Sequence, residues 1–412
     1  MSSSSPSKRK IFNDPVYGFI SIPNDLIFDL IEHRYFQRLR RISQLGLTNA
    51  VYSGAIHTRF QHALGAMHLM TEAIEVIRSK GIEITEAEAN GVLVAILMHD
   101  IGHGPFSHTL ERSLVEGVSH EDISAIIMDR LNQEFNGQLD LAIPIFRNQY
   151  PKKFLHQLVS SQLDMDRLDY LKRDSFFSGV SEGVIGLDRI IKMLNVVNDG
   201  LVVEAKGIYS IEKFLISRRI MYWQVYLHKT VLGAEYLLMH ILKRAKELAD
   251  RGVELFATPS FRTLLYHHYS REDFLASPEA FESFLSIDDF DILTSVKVWV
   301  NHPDPVLANM CRKLAQRDLL KVEMQNHPFD PTYLERVFSK ALNKYGFSPE
   351  ETAYFVFNDS ITNSAYQPHL NKINILFKDG TVKDFAKAFD NEYIAGWSEV
   401  VKKHFFCYPK GL

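Results

Sequence analysis

The ten residues from position 99 to position 108, HDIGHGPFSH, place three histidines and an aspartate around a break in the backbone. The preceding segment 92–98, VLVAILM, is apolar throughout and predicts a buried helix. The glycines and the proline that follow end this helix. A buried segment that ends in His99 and Asp100 must satisfy these polar groups with protein partners or with a cation. The pair favours a divalent metal of borderline hardness, such as iron, manganese or zinc, over calcium.

Two further segments offer ligands for such a metal. His62 lies near the start of a predicted helix, whose apolar residues recur at helical spacing through Met70 and Ile77. Segment 160–171 carries three acids, Asp164, Asp166 and Asp169, on a second predicted helix. One of these acids is expected to complete the ligand set, and His57 is interpreted as a loop residue.

Together these residues form an H…HD…D pattern that resembles the HD-domain metal-dependent phosphohydrolases. The resemblance is closer to the deoxynucleoside triphosphate (dNTP) triphosphohydrolases, including the mammalian enzyme that couples a SAM domain to an HD domain. Matches in family order run from about Lys10 to about Lys321. They are FQRLR at 36–40, Gln44-Leu45, RFQH at 59–62, the block 99–108, Asp164-x-Asp166-x-x-Asp169-Tyr170 with Arg173-Asp174, and Tyr226-x-His228-Lys229. An ordered set of this length is hard to obtain by chance.

The resemblance implies a metal site and a proton donor. The expected ligands are His62, His99, Asp100 and Asp166, whereas Asp164 is expected to orient or cap. The metal is expected to be Mn, Fe, Zn or Mg. By the same resemblance His120 is the general acid and Glu111 orients it, with glutamate in place of the usual aspartate. His103 and His108 are expected to contact phosphate.

The resemblance also implies a substrate. Cations at family positions around a triphosphate are Arg59, Arg167, Arg218 and Lys229, and each can form charge-assisted hydrogen bonds. Gln44 and Asp174 are expected to bond a 3′-hydroxyl, with Tyr226 nearby. Tyr170 packed against C2′ would leave no room for a ribose hydroxyl. The implied reaction attacks the α-phosphorus and releases a deoxynucleoside and intact triphosphate.

A second nucleotide site is implied because family members form tetramers that bind activating nucleotides at their interfaces. The matching residues are Lys10, Ile11, Asn13, Glu32, Gln37, Arg40, Arg317 and Lys321, within a segment 10–15 that includes Asp14 and Pro15. This chain departs from the family at Glu32, where aspartate is usual, at Phe19, where histidine is usual, and at Trp223 and Gln224, which replace tandem arginines. We therefore expect a homo-oligomer, tetramer or dimer, whose regulator differs from GTP or whose regulatory site is degenerate.

Two alternatives stay open. An HD phosphohydrolase for another nucleotide or phosphoester would use the same four ligands but would not need the four cations around a triphosphate. A catalytically silent nucleotide or single-strand nucleic-acid binder would bind without turnover, and its strand binding would weaken steeply with salt. The net charge of −4 argues against a dedicated nucleic-acid partner.

The remaining features predict the fold class and the compartment. The fold is expected to be predominantly all-α, an HD-type helical core with small β-hairpin insertions and a mixed α+β C-terminal subdomain. The expected divisions are a disordered tail 1–9, a catalytic core 10–255, a helical extension 256–327 with helices broken by prolines, and the subdomain 328–412. One hairpin is predicted within 200–210 and another around Asp379-Gly380, while 222–251 is predicted as one long helix. Only two cysteines, Cys311 and Cys407, and no membrane-spanning run favour a cytoplasmic protein.

Overall fold

The computed structural model of the chain describes residues 10–106, 117–363, 366, 372–388 and 400–412. Helices dominate this part of the chain, as predicted from the sequence. In chain order they are α1 Asp25–Glu32, α2 Arg34–Gln37, α3 Arg59–Ser79, α4 Glu86–Met98, α5 His120–Glu134, α6 Ala142–Phe146, α7 Lys153–Val159, α8 Met165–Ser178, α9 Leu187–Lys192, α10 Ile208–Met221, α11 Lys229–Asp250, α12 Pro259–Tyr266, α13 Arg271–Ala276, α14 Pro278–Ser286, α15 Asp289–Trp299, α16 Pro305–Ala315, α17 Pro331–Tyr345, α18 Pro349–Thr352 and α19 Phe385–Ala388. None of the described helices combines the length and apolar composition needed to cross a membrane.

Nine strands form small sheets among the described residues. They are β1 Ile11–Asp14, β2 Gly18–Ser21, β3 Leu194–Val197, β4 Gly200–Glu204, β5 Lys321–Gln325, β6 Phe357–Asn363, β7 Asn374–Leu376, β8 Val382–Asp384 and β9 Val401–Tyr408. The strand orders are β1-β2, β3-β4-β7-β8 and β5-β9-β6. The N-terminal hairpin β1-β2 is a feature that the sequence analysis did not anticipate.

Helix α3 packs against both α4 and α8, and these three helices carry the predicted metal ligands. The segment Val92–Met98 is buried on every side, which confirms its interpretation as an internal helix. Hydrogen-bonded N-caps set where the three helices begin. Thr58 with Gln61 and Thr85 with Glu88 form capping boxes at the first two, and Asp164 caps the third.

The hairpin predicted within 200–210, with strands at 201–204 and at Ile208-Tyr209, is displaced by one strand towards the N-terminus. Strand β4 pairs with β3, which precedes it, through a turn at Asn198 and Asp199. Both turn residues have positive φ, 50° and 62°, a conformation that Asn and Asp tolerate and that suits a two-residue hairpin. Residues Ala205–Gly207 form a 3-10 turn and helix α10 begins at Ile208, so the proposed second strand at Ile208 and Tyr209 was wrong.

The long helix predicted over 222–251 is interrupted. Residues Tyr222–Tyr226 form a π-helical turn, and α11 starts only at Lys229, capped by the His228 side chain. A single π turn inside a helical region is often found at functional sites, because it redirects side chains. Here it directs Tyr222 and Tyr226 towards the cavity described below.

The C-terminal region is mixed α+β, as predicted. The Asp379-Gly380 turn joins the antiparallel strands β7 and β8, with Gly380 at a φ of 85°. Strand β7 pairs in parallel with β4, so residues beyond 328 extend a sheet that begins near position 194. The predicted proline breaks hold at Pro259, Pro278 and Pro305, each in the first turn of a helix.

Candidate metal centre and substrate cavity

Three side chains from three helices meet at one point. His62 comes from α3, His99 caps the C-terminus of α4, and Asp166 lies in the first turn of α8. The Nε2 atoms of the two histidines are 3.3 Å apart, and Asp166 Oδ1 lies 3.1 Å from His62 Nε2 and 3.5 Å from His99 Nε2. These three residues can hold a metal ion. Two imidazoles and a carboxylate are donors that suit a borderline divalent metal.

Asp100 borders this cluster. Its Oδ1 lies 3.3 Å from His99 Nε2, and its Oδ2 lies 3.8 Å from His62 Nε2. The same carboxylate accepts a 2.6 Å hydrogen bond from Arg59 Nη1 and faces His103 Nε2 at 3.3 Å. Asp100 is therefore at the edge of the centre and shared with a neighbouring cation.

Both histidine rings are oriented by their Nδ1 atoms. His62 Nδ1 lies 2.7 Å from Asp169 Oδ2, and His99 Nδ1 lies 2.6 Å from the carbonyl oxygen of Ile96. Both Nε2 atoms are thereby turned towards Asp166. Burial lowers the pKa of His62, but hydrogen bonds to Asp166 and Asp169 outweigh it and raise this pKa to about 10. This excess of negative charge in a buried site is what a cation neutralises, so the residues present fit a bound metal.

Asp164, the competing acid, has a different task. Its side chain accepts hydrogen bonds from the backbone N–H groups of Ser161 and Arg167, at 2.6 and 2.7 Å. It therefore caps α8, as expected, and faces away from the ligand cluster. Burial raises the pKa of Asp164 to about 6, against the lowering effect of Arg167.

The loop after His99 is held from two sides. Buried Arg38 donates from Nη2 to the carbonyl of Ile101, at 2.8 Å. The N–H of Gly102 donates to Ser124 Oγ, which donates in turn to the carbonyl of His99. A Cβ at Gly102 would lie 2.2 Å from the carbonyl oxygen of His120, so only glycine permits this close approach of α5. Neither Arg38 nor Ser124 was predicted individually from the sequence as a site residue.

A cavity of about 270 Å³ opens beside the cluster. Arg59 lines it and also donates to Asp100, so the cavity and the metal centre share a residue. Two other predicted substrate residues, Gln44 and Tyr226, are in its wall, with Phe106 and Tyr222. A volume of this size suits a small organic ligand with a few polar groups.

Several buried polar atoms of predicted substrate residues have no hydrogen-bond partner among the described residues. They are Gln44 Oε1, Arg59 Nε, the Tyr170 hydroxyl, and Nε and Nη1 of Arg218. Gln44 and Arg59 line the cavity, and buried polar groups in native proteins are almost always paired, so these atoms favour a site that a polar ligand completes. Tyr170 interacts electrostatically with Arg167, Arg218 and Asp166, and Arg167 also interacts with Asp166.

Tyr226, which lines the cavity, contacts further aromatic and acidic side chains. The Tyr226 hydroxyl donates to Asp174 Oδ2 at 2.7 Å, and Tyr170 meets the Tyr226 ring edge-on with centroids 6.2 Å apart. His57 Nε2 lies 2.7 Å from Asp174 Oδ1 and its ring stacks on Phe177. His57 is a loop residue, as interpreted, but it is buried and fixes a predicted substrate carboxylate.

Only some of the residues predicted around the proton donor His120 are among the described residues. His120 begins α5 and its ring stacks on His103, with centroids 3.8 Å apart. Burial and the charge of Arg59 hold the pKa of His103 well below its usual value. Glu111, predicted to orient His120, and His108, predicted to contact phosphate, lie outside the described residues.

Other predicted site residues lie apart from the cluster. Lys229 is the first residue of α11, next to His228, and no described contact links it to the ligands. Among the residues predicted for regulation, Arg40 bonds Gln37 and lies over the Phe60 ring, and Lys10 lies over the Phe28 ring. Arg317 donates to the carbonyl of Ala50, and Lys321 pairs with Glu323. Ile11, Asn13 and Phe19 are exposed on the N-terminal hairpin, and Glu32 ends α1.

Known proteins resemble this chain in sequence and in fold. An HD domain matches residues 59–174, which contain all four predicted ligands, and an HD associated region matches residues 185–254. The crystal structure of a phosphohydrolase from Bacteroides thetaiotaomicron VPI-5482 is similar, with a TM-score of 0.95 and 53% identity over 98% of this chain and all of that chain. The uncharacterized protein YwfO of Bacillus subtilis is 32% identical over 98% of this chain and 93% of its own length.

A third relative matches a shorter part of the chain. The Dictyostelium discoideum homolog of the deoxynucleoside triphosphate triphosphohydrolase SAMHD1 is 33% identical over 59% of this chain and 51% of that protein. The alignment thus spans about half the length of that relative. With the HD domain, its associated region and the full-length similarity to a phosphohydrolase, this chain belongs to the HD-domain phosphohydrolase family and resembles its SAMHD1-like branch.

Proposed function

We propose that the protein hydrolyses dNTPs to deoxynucleoside and inorganic triphosphate in a metal-dependent reaction. The observation that carries the proposal is the set of unpaired, buried polar and cationic atoms beside the His/Asp cluster. A polyphosphate would accept hydrogen bonds from Arg218 and from the remaining N–H groups of Arg59 and Arg167, which also pair with Asp100 and Asp164. A nucleoside supplies partners for Gln44 and Tyr170. The Dictyostelium relative is named as a homolog of a deoxynucleoside triphosphate triphosphohydrolase, which agrees with this substrate class.

The metal ligands, Arg59 and His120 have separate roles in the proposed reaction. A divalent metal held by His62, His99, Asp100 and Asp166 would polarise a phosphoryl oxygen and supply an activated water at neutral pH. Arg59 reaches from the centre into the cavity and orients the phosphate chain along it. His120 donates a proton to the leaving nucleoside oxygen, since an imidazole exchanges protons near pH 7.

Sugar selection is assigned to Tyr170 and Tyr226. Tyr170 is held edge-on against Tyr226, and Tyr226 is held by Asp174, which His57 also contacts. A ring fixed in this way can pack against C2′ and leave no partner for a ribose hydroxyl. A buried hydroxyl without a partner is costly, which gives discrimination against ribonucleotides.

Product identity tests the proposal. Purified protein is incubated with Mn²⁺ and each dNTP, separately and mixed, and the phosphate product is identified by phosphorus NMR. We expect inorganic triphosphate and deoxynucleoside, and no product from Asp166→Asn. Orthophosphate or pyrophosphate as the product would contradict the α-phosphorus attack and favour an HD phosphohydrolase for another phosphoester.

Nucleotide activation is a further part of the proposal. The residues that resemble the family's regulatory set are Lys10, Ile11, Asn13, Glu32, Gln37, Arg40, Arg317 and Lys321, and they would act at an interface between copies of the chain. Activity on one pure dNTP is measured with each other nucleotide added, in parallel with oligomeric state by light scattering. Unchanged activity together with an unchanged oligomer across all nucleotides would contradict activation.

A further inference from the structure

A chain of buried charged groups leads away from the metal centre. Asp169 accepts from His62 Nδ1 through Oδ2, and both of its oxygens bond Arg173, from Nε and Nη2 at 3.0 Å each. Arg173 Nη1 then donates to Asp14 Oδ2 at 2.7 Å. The side chains of Asp169 and Arg173 are fully buried, and that of Asp14 is 5% exposed. The chain thus runs without interruption by solvent from a ligand to the N-terminal hairpin.

Asp14 is tied to the hairpin by its second oxygen. It is the last residue of β1, and its Oδ1 accepts hydrogen bonds from the backbone N–H groups of Val16 and Tyr17, at 2.9 and 3.0 Å. One oxygen therefore closes the turn between β1 and β2 while the other holds Arg173. The position of the hairpin and the position of the guanidinium cannot change independently.

The helix that carries His62 leaves room for this chain. Gly65 lies three residues after His62 on α3, and a Cβ there would be 2.0 Å from Asp169 Oδ1 and 2.2 Å from Arg173 Nη2. The ion pair packs directly onto the α3 backbone at this glycine. Such close approach fixes the distance between Asp169 and the imidazole it orients.

We propose that Asp14 and Arg173 are positioning residues for His62, and that the N-terminal hairpin is coupled through them to the metal centre. Arg173 shared between two carboxylates holds Asp169 in one orientation, and Asp169 holds the imidazole with Nε2 towards Asp166. Both oxygens of Asp169 accept from Arg173, and Oδ2 lies 2.7 Å from His62 Nδ1, so the imidazole is held from behind by a carboxylate that Arg173 fixes. Groups that hydrogen-bond to a metal ligand orient it and thereby influence the affinity of the site for the metal.

This inference deepens the proposed function and rests on it. The hairpin carries the segment 10–15 that resembles a regulatory nucleotide site, and its outer face exposes Ile11 at 56% and Phe19 at 69%. A ligand or second copy of the chain that moves the hairpin acts on His62 through Asp14.

The test compares two aspartates with the same local chemistry. Asp14→Asn keeps an oxygen for the turn N–H groups and replaces the one that pairs with Arg173. The matched control is Asp304→Asn, because Asp304 accepts from the Leu307 N–H through Oδ1 and from Arg244 Nη2 through Oδ2. The affinity for Mn²⁺ is measured by the paramagnetic resonance of the free ion, and thermal unfolding is recorded without metal.

We expect Asp14→Asn to weaken Mn²⁺ binding about fivefold or more, since direct partners of a ligand are worth about 10–100-fold. Asp304→Asn should lower the unfolding temperature without changing the affinity. Equal Mn²⁺ affinity in the parent and Asp14→Asn would overturn the proposal and leave Asp14 a purely structural residue.

A second pair of variants covers the case in which Asp14→Asn does not fold. Gly65→Ala displaces Asp169 and Arg173, whereas Gly233→Ala brings its Cβ within 2.8 Å of the Val322 side chain, a milder clash. Only Gly65→Ala is expected to weaken Mn²⁺ binding, and equal affinities in the two variants would count against the proposal.

Failure of the proposed function gives a different result. If the parent bound none of Mn²⁺, Fe²⁺ or Zn²⁺, metal dependence would be contradicted. The coupling would then be tested by the ¹⁵N chemical shift of His62 Nδ1, whose signal is identified by its absence in His62→Gln. A shift that changes in Asp14→Asn but not in Asp304→Asn supports it, and an unchanged shift overturns it.

Discussion

Two aspartates, Asp164 and Asp166, lie two positions apart and do different things. Asp166 faces His62 and His99, whereas Asp164 accepts from two backbone N–H groups at the start of α8. The difference follows from helix geometry, because the N-cap residue lies outside the helix and the first-turn residue projects from its side. Sequence spacing alone left both acids as candidates, and resemblance to the family favoured the second.

Replacing these two residues separates metal binding from stability. Asp166→Ala should abolish bound metal and activity together, because it removes the carboxylate between the two Nε2 atoms. Asp164→Ala should retain metal but lower the free energy of unfolding by about 1–2 kcal/mol, the usual cost of a lost N-cap. Metal content after dialysis and denaturant unfolding measure the two effects. Metal loss in Asp164→Ala alone would show that the ligand is assigned two residues too late.

The sugar preference is a second prediction at the scale of one residue. Tyr170→Ala removes the ring proposed to pack at C2′ and should admit ribonucleotides, with the ratio of kcat/KM for dATP over ATP falling at least about tenfold. Tyr170→Phe is the control, since it keeps the ring and removes only the unpaired hydroxyl. An unchanged ratio in Tyr170→Ala would rule out the packing role.

At the scale of an element, the helices are set by their caps. Glu88 closes the capping box of α4, accepts from Lys152 at 2.8 Å and from the Tyr150 hydroxyl at 2.8 Å, and is buried. Burial raises its pKa, but these hydrogen bonds and the charge of Lys152 outweigh it and lower the pKa from 4.5 to about 2. Helix α4 ends at His99, so the cap stabilises the helix that presents a ligand.

The pH dependence of stability follows from this shift. A carboxyl whose pKa is lower in the folded state stabilises the protein above the unfolded value, here about 4.5, and this contribution is lost as pH falls to about 2. Glu88→Gln keeps the capping geometry but lacks the charge, so it should be less stable than the parent at pH 6. The difference should shrink between pH 4.5 and pH 2. The exposed first-turn variant Glu86→Gln should show little difference at any pH.

The errors at this scale have a common cause. The hairpin around 200 was placed one strand too late, and the break in the helix at Leu227 was missed. In a short window, β-branched and aromatic residues are compatible with both a helix and a strand. What decides them is pairing with distant segments. Strand β4 pairs with β3 and β7, and the π turn packs against α10 and lines the cavity.

Among the described residues, the main hydrophobic core runs from the N-terminal hairpin to the C-terminal strand, beside a smaller cluster of Leu320, Val322, Phe405 and Cys407. It contains Ile20 near one end of the chain and Tyr408 near the other. Strand β9 lies between β5 and β6, and β7 joins the sheet started by β3 and β4. The divisions at 255 and 327 remain predictions, whereas the packing favours cooperative unfolding of the described residues.

Cooperative unfolding is the prediction at this scale. Phe406→Ala empties a buried position that packs against Phe329 and Tyr408, and should cost about 3–5 kcal/mol. If the core is continuous, calorimetry and circular dichroism should show one transition that shifts as a whole. Val400→Ala, at an exposed residue, should shift it little. Two separate transitions, with only one affected by Phe406→Ala, would show an independently folding C-terminal unit.

The amino-acid sequence is enough to predict the helical core and the residue types of the metal centre. An apolar run of seven residues has no stable place except inside a protein, and a His-Asp pair at its end must be paired or bound to a cation. Which acid faces the histidines, and which buried partners hold the site, depends on tertiary packing. Asp14 and His57 reach residues of α8 from distant segments, and these contacts depend on how the hairpin, a loop and the helix pack, which a local sequence pattern does not record.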